Sequence, residues 1–175
     1  MKKLIILAML ALLFFGSRQF IFAQGGRFGQ SGDENEGNGG GEYLGQYSSN
    51  PLNPQSTSND LSQYGSSISP KSINNPIGRY GSSVSPNSAN NPLATDTPKL
   101  YGQDGKYLGK VSSNTLDPES ISNPIGRYGS SISPDSVNNP IGRYGSKIGP
   151  ESANNPLATK APVIIYGGKR KNDKK

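Results

Sequence analysis

A chain of 175 residues with no cysteine, histidine or tryptophan has no disulfide to staple a small core, no imidazole for a Ser–His or Cys–His pair, and no His–zinc site. Its formal charge of +6 sits at the ends: Lys2, Lys3 and Arg18 supply three, and residues 169–175 carry +4 against −3 over 24–42. Between them lies a near-neutral stretch rich in Gly, Ser, Asn and Pro. From Gln24 onward Leu, Ile, Val and Phe fall to about 15%, below the ~20% of a disordered composition, but without the high net charge that completes that signature.

The first element, MKKLIILAMLALLFFGSRQFIFA over 1–23, reads as a signal peptide. Lys2 and Lys3 form the basic start, Leu4 to Phe15 is an unbroken apolar run, and the small Ala23 precedes Gln24 at the expected cleavage point. That run is short of the ~20 apolar residues of a membrane span. Because Phe20 to Ala23 resumes it after Arg18, an uncleaved anchor is the alternative. Export to the periplasm, cell envelope or exterior follows, with the membrane met only in transit through the signal peptide. Residues 24–42, Gly-rich and acidic with the single aromatic Phe28, read as a disordered linker.

A 16-residue unit then occurs six times, in two blocks of three. Pro54, Pro70 and Pro86 mark the first block, and Pro118, Pro134 and Pro150 the second. The blocks, 43–106 and 107–168, repeat at an offset of 64, with 38 of 58 residues identical between 43–100 and 107–164. One supersecondary unit used repeatedly is the natural reading.

Two columns of the unit are always aliphatic: Leu44, Leu61, Ile77, Leu108, Ile125 and Ile141, and then Leu52, Ile68, Val84, Leu116, Ile132 and Ile148. A third is Tyr47, Tyr64, Tyr80, Tyr128 and Tyr144, with Val111 in the remaining copy. These columns and the hairpin below are the expected centres of order. A serine column (Ser56, Ser72, Ser88, Ser120, Ser136, Ser152) and an asparagine column (Asn59, Asn75, Asn91, Asn123, Asn139, Asn155) have no exception.

Each S-P-x-S step suggests a helix start. The residue before the proline caps, and proline fits the first helical position because its missing N–H has no partner there anyway. Glu119, Asp135 and Glu151 would complement the helix dipole in the first turn. Asn, usually followed by Pro, then ends the helix. Pro70, Pro86, Pro134 and Pro150 are therefore each expected to open a single helical turn.

Between the blocks, PKLYGQDGKYLGKV at 98–111 places Asp104–Gly105 between two short apolar runs and predicts a β-hairpin. Its counterpart near the C-terminus, with Val163, Ile164, Ile165 and Tyr166, predicts a further strand able to pair with that hairpin. The chain closes on the basic tail 169–175. The expected fold class is a mostly irregular repeat array of low regular secondary structure, with single-turn helices, one hairpin at 98–111 and disordered termini.

The strings NNPIGRYGSSISPDSVNNPIGRYGS and DGKYLGKVSSNTLDPESISNPIGRYGS resemble repeats of small exported bacterial proteins that carry tandem Y-G-S-x-x-S-P-x-S-x-N-N-P motifs. The likeness covers residues 43–160. It implies an envelope or secreted repeat protein and brings no activity or site residues with it. In those relatives the position after NNP is often aromatic; here it is Ile77, Leu93, Ile125, Ile141 and Leu157.

Chemistry is sparse. The serines fall in the capping pattern, with no G-x-S-x-G elbow or S-x-x-K pair. The carboxylates Asp117, Glu119, Asp135 and Glu151 recur as cap or first-turn residues rather than as an acid/base pair, and no cofactor is expected. The candidate contacts are three repeated pairs, Arg79–Tyr80, Arg127–Tyr128 and Arg143–Tyr144, which could stack on sugars or hold acidic polymers. Against this stands the alternation of an extended chain, with Tyr packed inward and Arg in water. The expected function is a non-enzymatic exported repeat protein with a structural or interaction role. The alternative is a weak binder of envelope glycans or anionic polymers through those pairs and the basic tail; nucleic acid is not expected outside the cell.

Overall fold

The computed structural model describes residues 40–167; the segment read as a signal peptide, most of the 24–42 segment read as a linker, and the basic tail lie outside them. Its regular structure is one four-stranded antiparallel sheet of β1 (Glu42–Gln46), β2 (Lys99–Tyr101), β3 (Tyr107–Lys110) and β4 (Val163–Tyr166), in the order β1-β4-β2-β3. The hairpin and the C-terminal strand form as the sequence predicts. β1 begins at Glu42, the last residue of the segment read as linker.

The sheet makes the 64-residue duplication visible as a twofold. Leu100 stands opposite Ile164, its own copy, while Lys99 faces Ile165 and Tyr101 faces Val163. β1 pairs with β4 as β3 pairs with β2: Tyr43 lies opposite Ile165, and Tyr107 opposite Tyr101. One of these hairpins is covalent, turning at Asp104–Gly105 with Gly105 at a φ of 91°. The other, β1 with β4, joins the two ends of the described residues without a turn. Further bonds close the body head to tail: Ser113 N–H to Ala89 O and Ser49 N–H to Ala153 O, both at 2.8 Å. Gly45 and Gly109 kink the outer strands at φ of 98° and 105°. A Cβ there would lie 2.6 Å from the Cβ of Tyr64 or Tyr128, so glycine is required by both conformation and space.

The units between strands contain no helix. Their backbone is a run of turns: the carbonyls of Ser69, Ser72, Asn75 and Gly78 accept from the N–H three residues on, at 3.0–3.4 Å. Proline does occupy a preferred site, but it is the second residue of a β-turn rather than the first of a helix. The single-turn helices are thus overturned, and the hydrogen bonds show why. The carbonyl of Ser85 takes the N–H of Ser88 at 3.3 Å and the side-chain amide of Asn91 at 2.9 Å. The N–H of Ala89, the donor a helix would need, goes instead to Tyr80 O at 2.9 Å. The same exchange recurs at Gly149, Asn155, Ala153 and Tyr144.

Polar side chains define the unit. All six column serines are fully buried, and each accepts the N–H two residues on. All six column asparagines donate to the carbonyl six residues back, at 2.9–3.1 Å. Unit is tied to unit by Asn74, Asn90, Asn138 and Asn154. Each amide bridges two carbonyls, seventeen and nine residues back, as Asn138 does with Ile121 at 2.8 Å and Gly129 at 2.9 Å.

The apolar core is small. Leu44, Leu108, Leu100 and Ile164 cover the sheet, joined by Tyr80, Tyr144, Val111 and one inner column: Ile73, Ala89, Ile121, Val137 and Ala153, with buried Thr57 in the remaining copy. This column is the residue after the invariant serine, and it was not among those expected inside. Ten of the twelve residues of the two always-aliphatic columns are exposed; only the strand residues Leu44 and Leu108 are buried. The expectation that the aliphatic columns centre the order is corrected accordingly.

Candidate interaction surface

The three Arg–Tyr pairs divide as expected, with the tyrosine turned in, although each pair sits at the centre of a turn rather than in extended chain. Tyr80 and Tyr144 are buried, and Tyr128 packs half-buried against the core. Each guanidinium folds back over its own ring, at 5.3–5.6 Å from the centroid.

Each arginine also reaches the residue eight positions on, the one after the marker proline. Arg127 binds Asp135 at 2.6–2.7 Å, and Arg143 binds Glu151, one of its two bonds measuring 2.6 Å. Arg143 also lies 3.3 Å from Asp104, and Lys106 adds a second cation to Asp135. The carboxylates read as first-turn residues are therefore ion-pair partners. The Lys106 ammonium and then the Arg127 guanidinium hold the Asp135 carboxyl below its usual range, and Arg143 does the same for Glu151.

Arg79 is the exception. Its column partner is Asn87, at 3.1 Å, and its guanidinium donates to the Tyr166 hydroxyl at 3.0 Å while lying 4.6 Å from that ring's centroid. Tyr166 in turn donates to Asp96 at 2.7 Å, and Tyr80 donates to Glu42 at 2.5 Å. Burial, and then the Glu42 carboxylate, push the Tyr80 hydroxyl well above the ordinary tyrosine range. Each of the three arginines thus has a partner from within the chain.

A polar cleft of about 350 Å³ opens where the blocks meet, lined in part by Tyr47, Ser48, Thr57, Asp60, Asn74 and Asn154. Among the described residues, Asp60 is the one carboxylate in its lining, and no cation lines it. Among the described residues no group of three or more carboxylates could hold a metal ion.

What the sequence reading missed is on the outside. Twelve aliphatic side chains stand 82–98% exposed: Leu52, Leu61, Ile68, Ile77, Val84 and Leu93, and their six copies at an offset of 64 from Leu116 to Leu157. Every one occupies the last position of an [N/S]-x-[L/I/V] triplet. In every one, the Asn or Ser oxygen accepts the aliphatic residue's own N–H, at 2.9–3.3 Å. Such side-chain turns fix the backbone at the point where the aliphatic group projects. The triplet is legible in the sequence; its outward direction is not.

No known protein family matches the chain, and neither does any curated protein or solved structure. The surface has to be read from its own chemistry.

Proposed function

We propose that the chain is an exported, non-enzymatic repeat protein whose role is structural or interaction-based, and that the twelve aliphatic tips are its working surface. The observation that carries this reading is the combination of exposure and uniformity. Burial explains why a core position stays apolar, but it cannot act on a side chain that is nine-tenths in water. Elsewhere on the surface the units vary freely: the residue after the marker proline is Lys71, Asn87, Asp135 or Glu151. At the tips all twelve remain Leu, Ile or Val. Scattered exposed aliphatics are ordinary, whereas a regular set built on identical turns fits recognition. Export is supported by the signal-like residues 1–23.

The glycan or anionic-polymer alternative loses ground, because Arg127 and Arg143 already hold carboxylates and Arg79 is bonded to Asn87 and Tyr166. The test is fractionation of cells that export either the parent chain or an Ile77→Ser, Ile125→Ser, Ile141→Ser variant. With export and thermal melt unchanged, the parent is expected in the envelope fraction and the variant among soluble products. Equal partitioning of the two would overturn the interaction role.

A further inference from the structure

Apart from the tips, we infer that the polar cleft between the blocks binds a small organic cation, a short apolar stem ending in a primary ammonium, with Asp60 as its counter-charge. The duplication supplies the first argument, because every lining residue has a copy at an offset of 64. Ser48, Ser58, Asn74 and Ala153 keep their identity in Ser112, Ser122, Asn138 and Ala89. Three residues change from polar to apolar: Tyr47, Thr57 and Asp60 become Val111, Ile121 and Pro124. At that second location Val111 and Ile121 join the buried core. The Ser113 hydroxyl there is sealed from solvent without a partner, whereas its copy Ser49 stands exposed.

Thr57 and Asp60 are departures within the repeat as well. Asp60 holds a position that is proline in the other five units, and Thr57 is the single hydroxyl of the inner column. Neither side chain serves the fold with a hydrogen bond. Seven of the eight carboxylates among the described residues hold a cation or a tyrosine hydroxyl. Asp60 is the eighth and holds neither. Thr57 is only 7% exposed, yet its hydroxyl has no partner among the described residues. Two departures without a structural bond thus meet in one cleft.

The remaining free groups define the ligand. Asn74 and Asn154 spend their amide nitrogens inside the stack, on Thr57 and Gly65 and on Val137 and Gly145. Each leaves an amide oxygen without a partner, an atom that can only accept. Two such oxygens beside a carboxylate call for a ligand that brings donors. A primary ammonium brings three and has no acceptor to leave unpaired. The charge agrees, since an unpaired carboxylate with no cation in the lining attracts cations and repels anions. Buried Ile73 and Ala153, with the Tyr47 ring packed against the same core, offer an apolar wall for the stem. The charged end then stays at exposed Asp60. A volume of about 350 Å³ lies at the small end of ligand clefts and limits the stem to a few carbons.

Nuclear magnetic resonance titration of the isotope-labelled chain with butylammonium, butanol and butyrate tests the assignment, because the three probes share a stem and differ in charge. Butylammonium is expected to shift the resonances of Thr57, Asn74 and Asn154 saturably, and butyrate to leave them in place. Butanol should bind about fivefold more weakly. Asp60→Asn, an exposed substitution, should weaken butylammonium binding by about fivefold with the melt unchanged. Thr57→Ile with Asp60→Pro copies the second half of the chain and should abolish binding while the fold is kept.

Equal binding of butanol, or of butylammonium to Asp60→Asn, would make the cleft an apolar hollow indifferent to charge and overturn the proposal. Saturable binding of butyrate would overturn it too, as would shifts without saturation or no shift at all. None of the twelve tips is among the lining residues. The interaction role proposed for the tips therefore stands or falls on its own test.

Discussion

The inner column and the outer tips invert the usual relation between burial and residue choice. Inside, the six copies run Thr57, Ile73, Ala89, Ile121, Val137 and Ala153, differing in size and even in polarity, yet all are buried. Outside, twelve positions keep to Leu, Ile and Val although water reaches nearly all of each side chain. In this fold the backbone path is set by serine and asparagine hydrogen bonds, so the inner column only has to fit a space already defined. The outer tips contribute nothing to that space. On the proposed reading, their uniformity belongs to a contact outside the chain.

The comparison can be broken hardest at the inner wall. Tyr144 is buried beside Val137 and Ala153 in the core, with its hydroxyl 3.4 Å from Asp104. Tyr144→Ala should cost about 3–5 kcal/mol, as large aromatic truncations do, read as a fall in chemical-denaturation midpoint. A loss below about 1 kcal/mol would mean that the inner wall is not what holds the body together.

Next comes the polar scaffold. Asn138→Ala would leave the carbonyls of Ile121 and Gly129 without their shared donor, at a cost of about 1–3 kcal/mol for buried acceptors left unsatisfied. Asn154→Ala should behave alike, since it bridges Val137 and Gly145 in the same way. If both variants melt with the parent, the turns rather than the amide bridges set the stacking.

A smaller effect is expected from acid. Asp135 is buried between Lys106 and Arg127, and its pKa is held below the usual value. The stability this adds is present above the unfolded pKa of about 3.9 and fades as pH falls through the lower folded value. Both cations are partly in solvent, so the contribution is about 1 kcal/mol. Asp135→Asn should lower the melt at neutral pH and flatten its decline below about pH 4. A variant with the parent's acid profile would place the acid sensitivity elsewhere.

How far the sequence could be read follows from the kind of bond that decides each feature. The hairpin at 98–111 and the strand at 163–166 were legible because local turn chemistry and β-branched residues fix them. Inward tyrosines beside outward arginines were expected from the alternation of an extended chain; the division holds, but the pairs sit at the centre of turns, so alternation is not its cause. Helices at the proline steps were not legible: the cap and the proline are right for a helix, but Asn91 and its equivalents donate to the carbonyl before the proline, while the N–H groups of Ala89 and Ala153 bond across to Tyr80 and Tyr144. That competition spans six to nine residues and leaves no local trace. Nor was the ion pairing of Arg127 and Arg143 visible, since the eight-residue reach depends on how successive turns stack. The aliphatic columns misled most, because invariance among copies is ordinarily the mark of a core.

The smallest expected effect bears most on that last point. Ile132 is 85% exposed, with its N–H held by Ser130 Oγ at 3.3 Å. Ile132→Ser leaves that turn intact and removes only apolar surface already in water, so stability should change by no more than about 0.5 kcal/mol. Val137→Ser, five residues along the same unit and buried, should cost several times more, through lost burial and a hydroxyl brought inside. Denaturation of both variants at two protein concentrations separates an intrinsic effect from one that depends on association. If Ile132→Ser loses as much as Val137→Ser at high concentration and nothing on dilution, the tips are buried between copies of the chain. A large loss independent of concentration would place Ile132 inside the fold and remove the distinction between inner and outer columns. Near-identity with the parent at both concentrations leaves the tips free for a partner, at no cost to the body that carries them.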